Sequence, residues 1–128
     1  MLIFVYGTLL SGLPLSHILD NSEFIGVAVA GGVQLYNLDY YPGIKYGDGA
    51  VIGEIYSVNN ETLQTLDTVE GFDPNNINNS LYYRSKIRMI LPTITTDVFA
   101  YFYNSQVDEN MQIEDGDYRK YLLSETVP

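Results

Sequence analysis

Two stretches of this chain have residue types and spacing suited to acid–base chemistry on a small carboxylated ligand. The first is Tyr6-Gly7-Thr8-Leu9-Leu10, directly after the apolar run Leu2-Ile3-Phe4-Val5. Glycine lets backbone approach a ligand with no Cβ in the way. Successive N–H groups in such a turn can hold a carboxylate or a developing oxyanion. Taken alone, the stretch reads more readily as an ordinary strand exit. The second is Glu70, in Leu66-Asp67-Thr68-Val69-Glu70-Gly71-Phe72. A helix C-terminus carries partial negative charge and favours cations. A carboxylate placed there beside apolar neighbours has its charged form disfavoured, so dipole and desolvation both raise its pKa toward a general-base range. The plain alternative is a solvated surface glutamate, which base rates favour.

Three further residues are candidates for supporting roles. Alternation puts Glu54 on one strand face with Ile52 and Tyr56, as an edge residue or a site residue. Tyr82-Tyr83-Arg84 offers a hydroxyl and a guanidinium, and the arginine suits a structural ion pair better than substrate contact. His17 has Ser11 and Ser16 near it in sequence but no third orienting group, so serine–histidine chemistry ranks low. Asn60-Glu61-Thr62 and Asn78-Asn79-Ser80 match a glycosylation acceptor pattern by chance alone.

These residues must be positioned by short elements. Leu2 to Tyr6 reads as a buried central strand and Leu13 to Leu19 as a short helix. Phe24 to Ala30 and Val33 to Leu38 read as strands separated by a Gly31-Gly32 turn, with Pro42-Gly43 breaking the pattern. Ala50 to Val58 is a strand, and Asn59-Asn60 caps a helix bearing Leu63, Leu66 and Val69, which Gly71 ends. Asp73 to Ser80 is an exposed loop. Tyr82 to Leu91 and Val98 to Tyr103 are strands, the latter apolar on both faces and hence central or part of a barrel wall. Residues 114–123 suggest a terminal helical turn. The expected fold is α+β in a single domain, residues 1–128, with a mixed sheet curled toward a small barrel beside a few short helices.

Composition narrows the function. Six basic residues stand against sixteen acidic ones, for a net charge of −10. Nucleic-acid binding needs positive charge to displace counterions from phosphates, and an anionic membrane is an equally poor partner. There is no cysteine and one histidine, which leaves no thiolate nucleophile, disulfide or multi-histidine metal site. Residues 1–10 are too short for a spanning helix, and a cytoplasmic location is the default expectation.

The ordered segments resemble the gamma-glutamyl cyclotransferase-like superfamily. The resemblance rests on Phe4-Val5-Tyr6-Gly7-Thr8-Leu9, Tyr41-Pro42-Gly43, Gly53-Glu54-Ile55-Tyr56, Leu66 to Phe72, Tyr82-Tyr83-Arg84 and Gly116-Asp117-Tyr118-Arg119. It implies that Glu70 acts as general base and acid while the α-amine of a small γ-glutamyl substrate attacks its own γ-carbonyl, releasing 5-oxoproline. It also implies that Tyr6, Gly7, Thr8 and Leu9 bind the glutamyl part, and that no metal or organic cofactor takes part. Glu54, Tyr82 and Arg84 are expected to support the site. The alternative is a non-catalytic module on the same fold that binds a small metabolite.

Overall fold

The computed structural model describes residues 1–91 and 95–126. Residues 92–94 and 127–128, which fall within the expected 1–128 domain, lie outside the described residues. Among the described residues six strands and two helices follow one another. They are β1 (Leu2–Val5), β2 (Glu23–Asn37), β3 (Pro42–Ser57), α1 (Asn60–Val69), β4 (Tyr82–Ile90), β5 (Thr95–Tyr103), β6 (Gln112–Ile113) and α2 (Tyr118–Thr126).

The strands form one mixed sheet in the order β4-β5-β1-β3-β2-β6. β1 is central as expected, antiparallel to β3 and parallel to β5. Its Ile3, Phe4 and Val5 are almost fully buried, which accounts for a run with no polar alternation. The curl comes from β3. Its second half pairs with β1, from Leu2↔Ser57 to Val5↔Glu54, while Ile44 in its first half pairs with Phe102 of β5. One strand therefore meets both neighbours of the same wall, and the sheet bends into a half-barrel. The core sits inside that bend, around Phe4, Leu35, Ile44, Ile55, Leu66 and Phe102.

Four sequence expectations are corrected. Gly31-Gly32 is no turn between two strands but an irregularity inside the single long β2, where the register steps from Gly31↔Ala50 to Val33↔Tyr46. Pro42-Gly43 does not break a strand; Pro42 is the first residue of β3, a place where a missing N–H is tolerated. The chain reversal lies just before it, where Leu38 N–H bonds to Tyr41 O at 3.0 Å and Asp39 adopts φ 80°. The helix expected over Leu13 to Leu19 contracts to a 3₁₀ turn, Ser16–Leu19. The C-terminal segment is longer than expected, as α2.

α1 is set by its ends. Asn59 caps the start, its side-chain oxygen accepting the Thr62 N–H at 2.8 Å. At the other end Gly71 takes φ +65°, its N–H bonding to Thr68 O at 3.1 Å while Phe72 N–H bonds to Asp67 O at 2.8 Å. This is a left-handed glycine cap, and Glu70 is the residue just before it. Leu63 and Leu66 bury the inner face, whereas Val69 stays 43% exposed.

Candidate active site

The end of β1, the end of α1 and the start of β4 enclose a cavity of about 140 Å³. Tyr6, Gly7, Thr8, Leu9, Glu70 and Tyr82 all line it, together with Pro42 and Tyr101. Residues distant in sequence are brought together because β1 ends where α1 ends. The glycine cap fixes the backbone at Glu70, and that residue's side chain is only partly exposed.

The loop after β1 is held by its carbonyls. Leu10 N–H donates to Gly7 O at 2.9 Å and Leu15 N–H donates to Thr8 O at 3.0 Å. Among the described residues the N–H groups of Gly7, Thr8 and Leu9 donate to no protein acceptor. Free donors at the wall of a cavity are suited to a carboxylate or an oxyanion.

Burial raises the Glu70 carboxyl to about 7. Among the described residues no cation or hydrogen-bond donor contacts this carboxylate, so nothing offsets the desolvation. Three tyrosines surround it. Burial, followed by the charges of Tyr82 and Glu70, pushes the Tyr6 hydroxyl well above its ordinary value. Burial and then Glu70 do the same to Tyr82, while burial and then Asp67 raise Tyr101. All three hydroxyls remain protonated donors. Tyr6 Oη donates to Tyr101 O at 2.7 Å, and Tyr82 Oη donates to Pro42 O at 2.6 Å. These bonds tie the walls to each other, so Tyr82 braces the cavity through its hydroxyl.

Glu54 and Arg84 lie elsewhere. Glu54 is buried outside this cavity and holds the far end of the loop. Its Oε1 accepts Ser11 N–H at 2.9 Å and Tyr56 Oη at 3.1 Å, and its Oε2 accepts Ser11 Oγ at 2.9 Å. Arg119 of α2 adds an ion pair at 3.3 Å and donates to Ser11 O at 2.5 Å. Burial pushes the Glu54 carboxyl up, but the two Ser11 donors, Tyr56 and Arg119 together bring it below the ordinary value. Arg84 Nε sits 3.3 Å from Asp67 Oδ1, an ion pair by distance without hydrogen-bond alignment. Its guanidinium lies over the Phe72 and Phe99 rings. His17 is exposed, with Nδ1 3.2 Å from Pro14 O, while Ser11 is engaged by Glu54 and Arg119. No serine–histidine pair is assembled from these residues.

Sequence reasoning missed the Arg119 clamp and the part played by Tyr101. Arg119 stood in a recognisable terminal motif, but nothing local indicated that it reaches back to Ser11. Tyr101 lay in a strand apolar on both faces, where a lining residue and a core residue look alike.

A half-barrel whose central strand runs into a glycine loop, with a half-buried glutamate lining the same cavity, defines a class, and the comparisons agree with it. The chain belongs to the family described as "Gamma-glutamyl cyclotransferase, AIG2-like", whose model matches residues 3–120. It is 34% identical over 118 residues to the gamma-glutamylcyclotransferase family protein YtfP of Escherichia coli, covering 92% of this chain and 96% of that one. The solution structure of the Escherichia coli protein superposes with a TM-score of 0.69 at 35% identity, over 92% of this chain and 96% of that one. The crystal structure of PH0828 from Pyrococcus horikoshii superposes with a TM-score of 0.77 at 26% identity, over 98% and 95% of the two chains. Both have the curled mixed sheet described above.

Proposed function

We infer that this protein is a γ-glutamyl cyclotransferase with Glu70 as its acid–base residue. The observation that carries the reading is that Glu70 lines the same cavity as Gly7, Thr8 and Leu9, whose N–H groups donate to no protein acceptor among the described residues, and burial raising the Glu70 carboxyl to about 7 supports it. The substrate's glutamyl carboxylate, or the oxyanion formed during reaction, is held by those N–H groups. Glu70 takes a proton from the substrate's α-amine as that nitrogen attacks the γ-carbonyl carbon. A new C–N bond closes the five-membered ring. The bond from the γ-carbon to the original amide nitrogen then breaks, and Glu70 returns the proton to the leaving nitrogen. The products are 5-oxoproline and a free amine, with no net uptake of water. Ring closure is intramolecular, so the site need only orient the chain, move one proton and stabilise one oxyanion. Tyr6, Tyr82 and Tyr101 keep the walls in register.

The test is release of 5-oxoproline from a panel of γ-glutamyl amines, amino acids and glutathione. Glu70→Gln keeps the shape and removes the base, and turnover is expected to fall by about 10²-fold or more. Equal turnover by the Gln variant refutes the mechanism. Calorimetric binding of glutamyl compounds with no 5-oxoproline on long incubation would favour the metabolite-binding alternative. A half-buried carboxylate with no partner among the described residues is a cost that a pure binder has no reason to keep.

A further inference from the structure

The first half of β2 has one paired side and one open side. On the paired side, Gly26 to Gly31 run against β3 in unbroken register, from Gly26↔Ile55 to Gly31↔Ala50. On the other side β6 reaches only Leu35 and Tyr36. Among the described residues no strand pairs with the outer edge from Glu23 to Val33. The outward N–H and C=O groups of that stretch form a row that can template another strand.

Proteins that keep such an edge single guard it with lysine, proline or an inward charge. This chain has no charged residue and no proline from Phe24 to Leu38. The bulge at Ile25 lies at the end of the regular stretch and leaves the rest of it straight. Val27 and Val29 alternate onto one face and are 67% and 61% exposed, and Ile52, opposite Val29 on β3, extends that face. Phe24 and Ile25 are exposed beside them. An uncharged run rich in β-branched residues is the composition of a strand buried within a sheet, here left at an edge.

We propose that this edge of β2 pairs antiparallel with β2 of a second copy of the chain, giving a twofold dimer with one continuous sheet. Charge selects the partner. The chain carries −10, so two copies repel wherever their acidic surfaces meet, and along this edge they meet without charge. A basic partner would find no acid there to pair with. A twofold axis at Ala28 sets Val27 of each copy opposite Val29 of the other on one face, and Gly26 opposite Ala30. The same register sends the two Glu23 residues to opposite ends, each facing Val33 of the other copy, about 34 Å apart along the strands and well beyond the Debye length of about 10 Å. A parallel pairing would set them side by side. No residue of β2 lines the cavity that holds Glu70, so the dimer stands independently of the cyclotransferase reading.

Sedimentation of the full chain is expected to show a particle of twice 14.4 kDa at about 100 μM. Val29→Glu puts a carboxylate into the apolar contact and should weaken association by about tenfold or more, with thermal melts checking that the variant is folded. The chain has no cysteine, so Ala28→Cys is a single thiol probe of the axis. Residues facing each other across an antiparallel pair have Cα atoms about 4.5–5.5 Å apart, within disulfide reach. Diamide should therefore link the Ala28→Cys variant into a covalent dimer and leave Tyr40→Cys, at an exposed residue off the edge, unlinked. A parent chain that sediments as a monomer at this concentration, or as a species larger than a dimer, overturns the proposal. A dimer that folded Val29→Glu leaves intact, or that diamide does not link through Ala28→Cys, overturns the pairing of these edges.

Discussion

Gly7 faces Pro42 so closely that a Cβ at position 7 would overlap the proline Cγ and press on Cδ. Two separate sequence signals, the glycine loop after β1 and the Tyr-Pro-Gly step into β3, thus meet in one contact. The missing Cβ is needed for packing as well as for access to a ligand. Gly7→Ala is expected to cost about 1–3 kcal/mol as an overpacked contact. Pro42→Ala removes the two ring atoms that clash, so the double variant should be more stable than the sum of the single changes allows. Urea unfolding of the four proteins reads the coupling. Additive losses would mean that the loop relaxes away from Pro42 and that the contact does not constrain it.

The elevated Glu70 carboxyl makes two pH predictions. kcat/KM should rise about tenfold between pH 6 and pH 8, inflecting near the free-enzyme Glu70 value of about 7. A flat profile across that range removes Glu70 as the base. The stability effect has the opposite sign. The folded value lies above the unfolded value of 4.5, so the native state holds the proton more tightly, and native stability falls as pH rises from 4.5 through 7. The loss is at most about 3 kcal/mol for a shift of this size. Glu70→Gln should therefore melt above the parent at pH 8, with the gap closing by pH 5. A gap that does not change with pH would place the carboxylate in water.

Glu54 acts through the loop it holds. Its carboxyl lies below the ordinary value of 4.5, so its contribution to stability is present above that pH and is lost as pH falls below it. Glu54→Gln keeps one acceptor but loses the charge that Arg119 and both Ser11 donors share. The expected cost is about 1–3 kcal/mol at pH 7, shrinking toward pH 3. As a positioning residue it should raise KM more than it lowers kcat, since the loop N–H groups become less fixed. A collapse of kcat with KM unchanged would instead indicate a direct part in the proton transfer.

The parts of this fold that were legible in the sequence have local causes. Asn59, the Leu63–Leu66 spacing and Gly71 specify α1 and its end within a dozen residues or so, and the position of Glu70 follows from the same glycine cap. Gly31-Gly32 was misread because a glycine pair serves a turn and a bulge equally well, and only the partner strand β3 decides between them. Pro42 was misread because proline stops a strand from within but tolerates being its first residue. The place of Glu54 was open for a different reason. Its partners, Ser11 and Arg119, lie on segments that meet only after β3 has paired with β1 and α2 has packed down. A charge pair of that kind leaves no periodic trace along the chain.

Arg84 shows how a residue in a family motif can serve the scaffold. Its Nε faces Asp67 Oδ1 at 3.3 Å, and the same oxygen accepts Tyr101 Oη at 2.5 Å. Tyr101 in turn takes the Tyr6 hydroxyl on its carbonyl and lines the cavity. The chain of contacts joins α1, β4, β5 and the residue after β1, and the Arg84 side chain stays 19% exposed with its guanidinium against two phenylalanine rings. Arg84→Met keeps much of the packing volume and leaves Asp67 with the tyrosine alone. Removing one partner of a half-buried ion pair should cost about 1–3 kcal/mol, below the loss for a fully buried pair because solvent still reaches both groups. Arg84→Lys should recover little of it, since an ammonium cannot stack on the rings while reaching Asp67. With both variants held well below their melting temperatures, kcat/KM for a γ-glutamyl amide should stay within about threefold of the parent, because Arg84 does not line the cavity. A fall of tenfold or more in kcat/KM with an unchanged melting temperature would move Arg84 from the scaffold to the substrate.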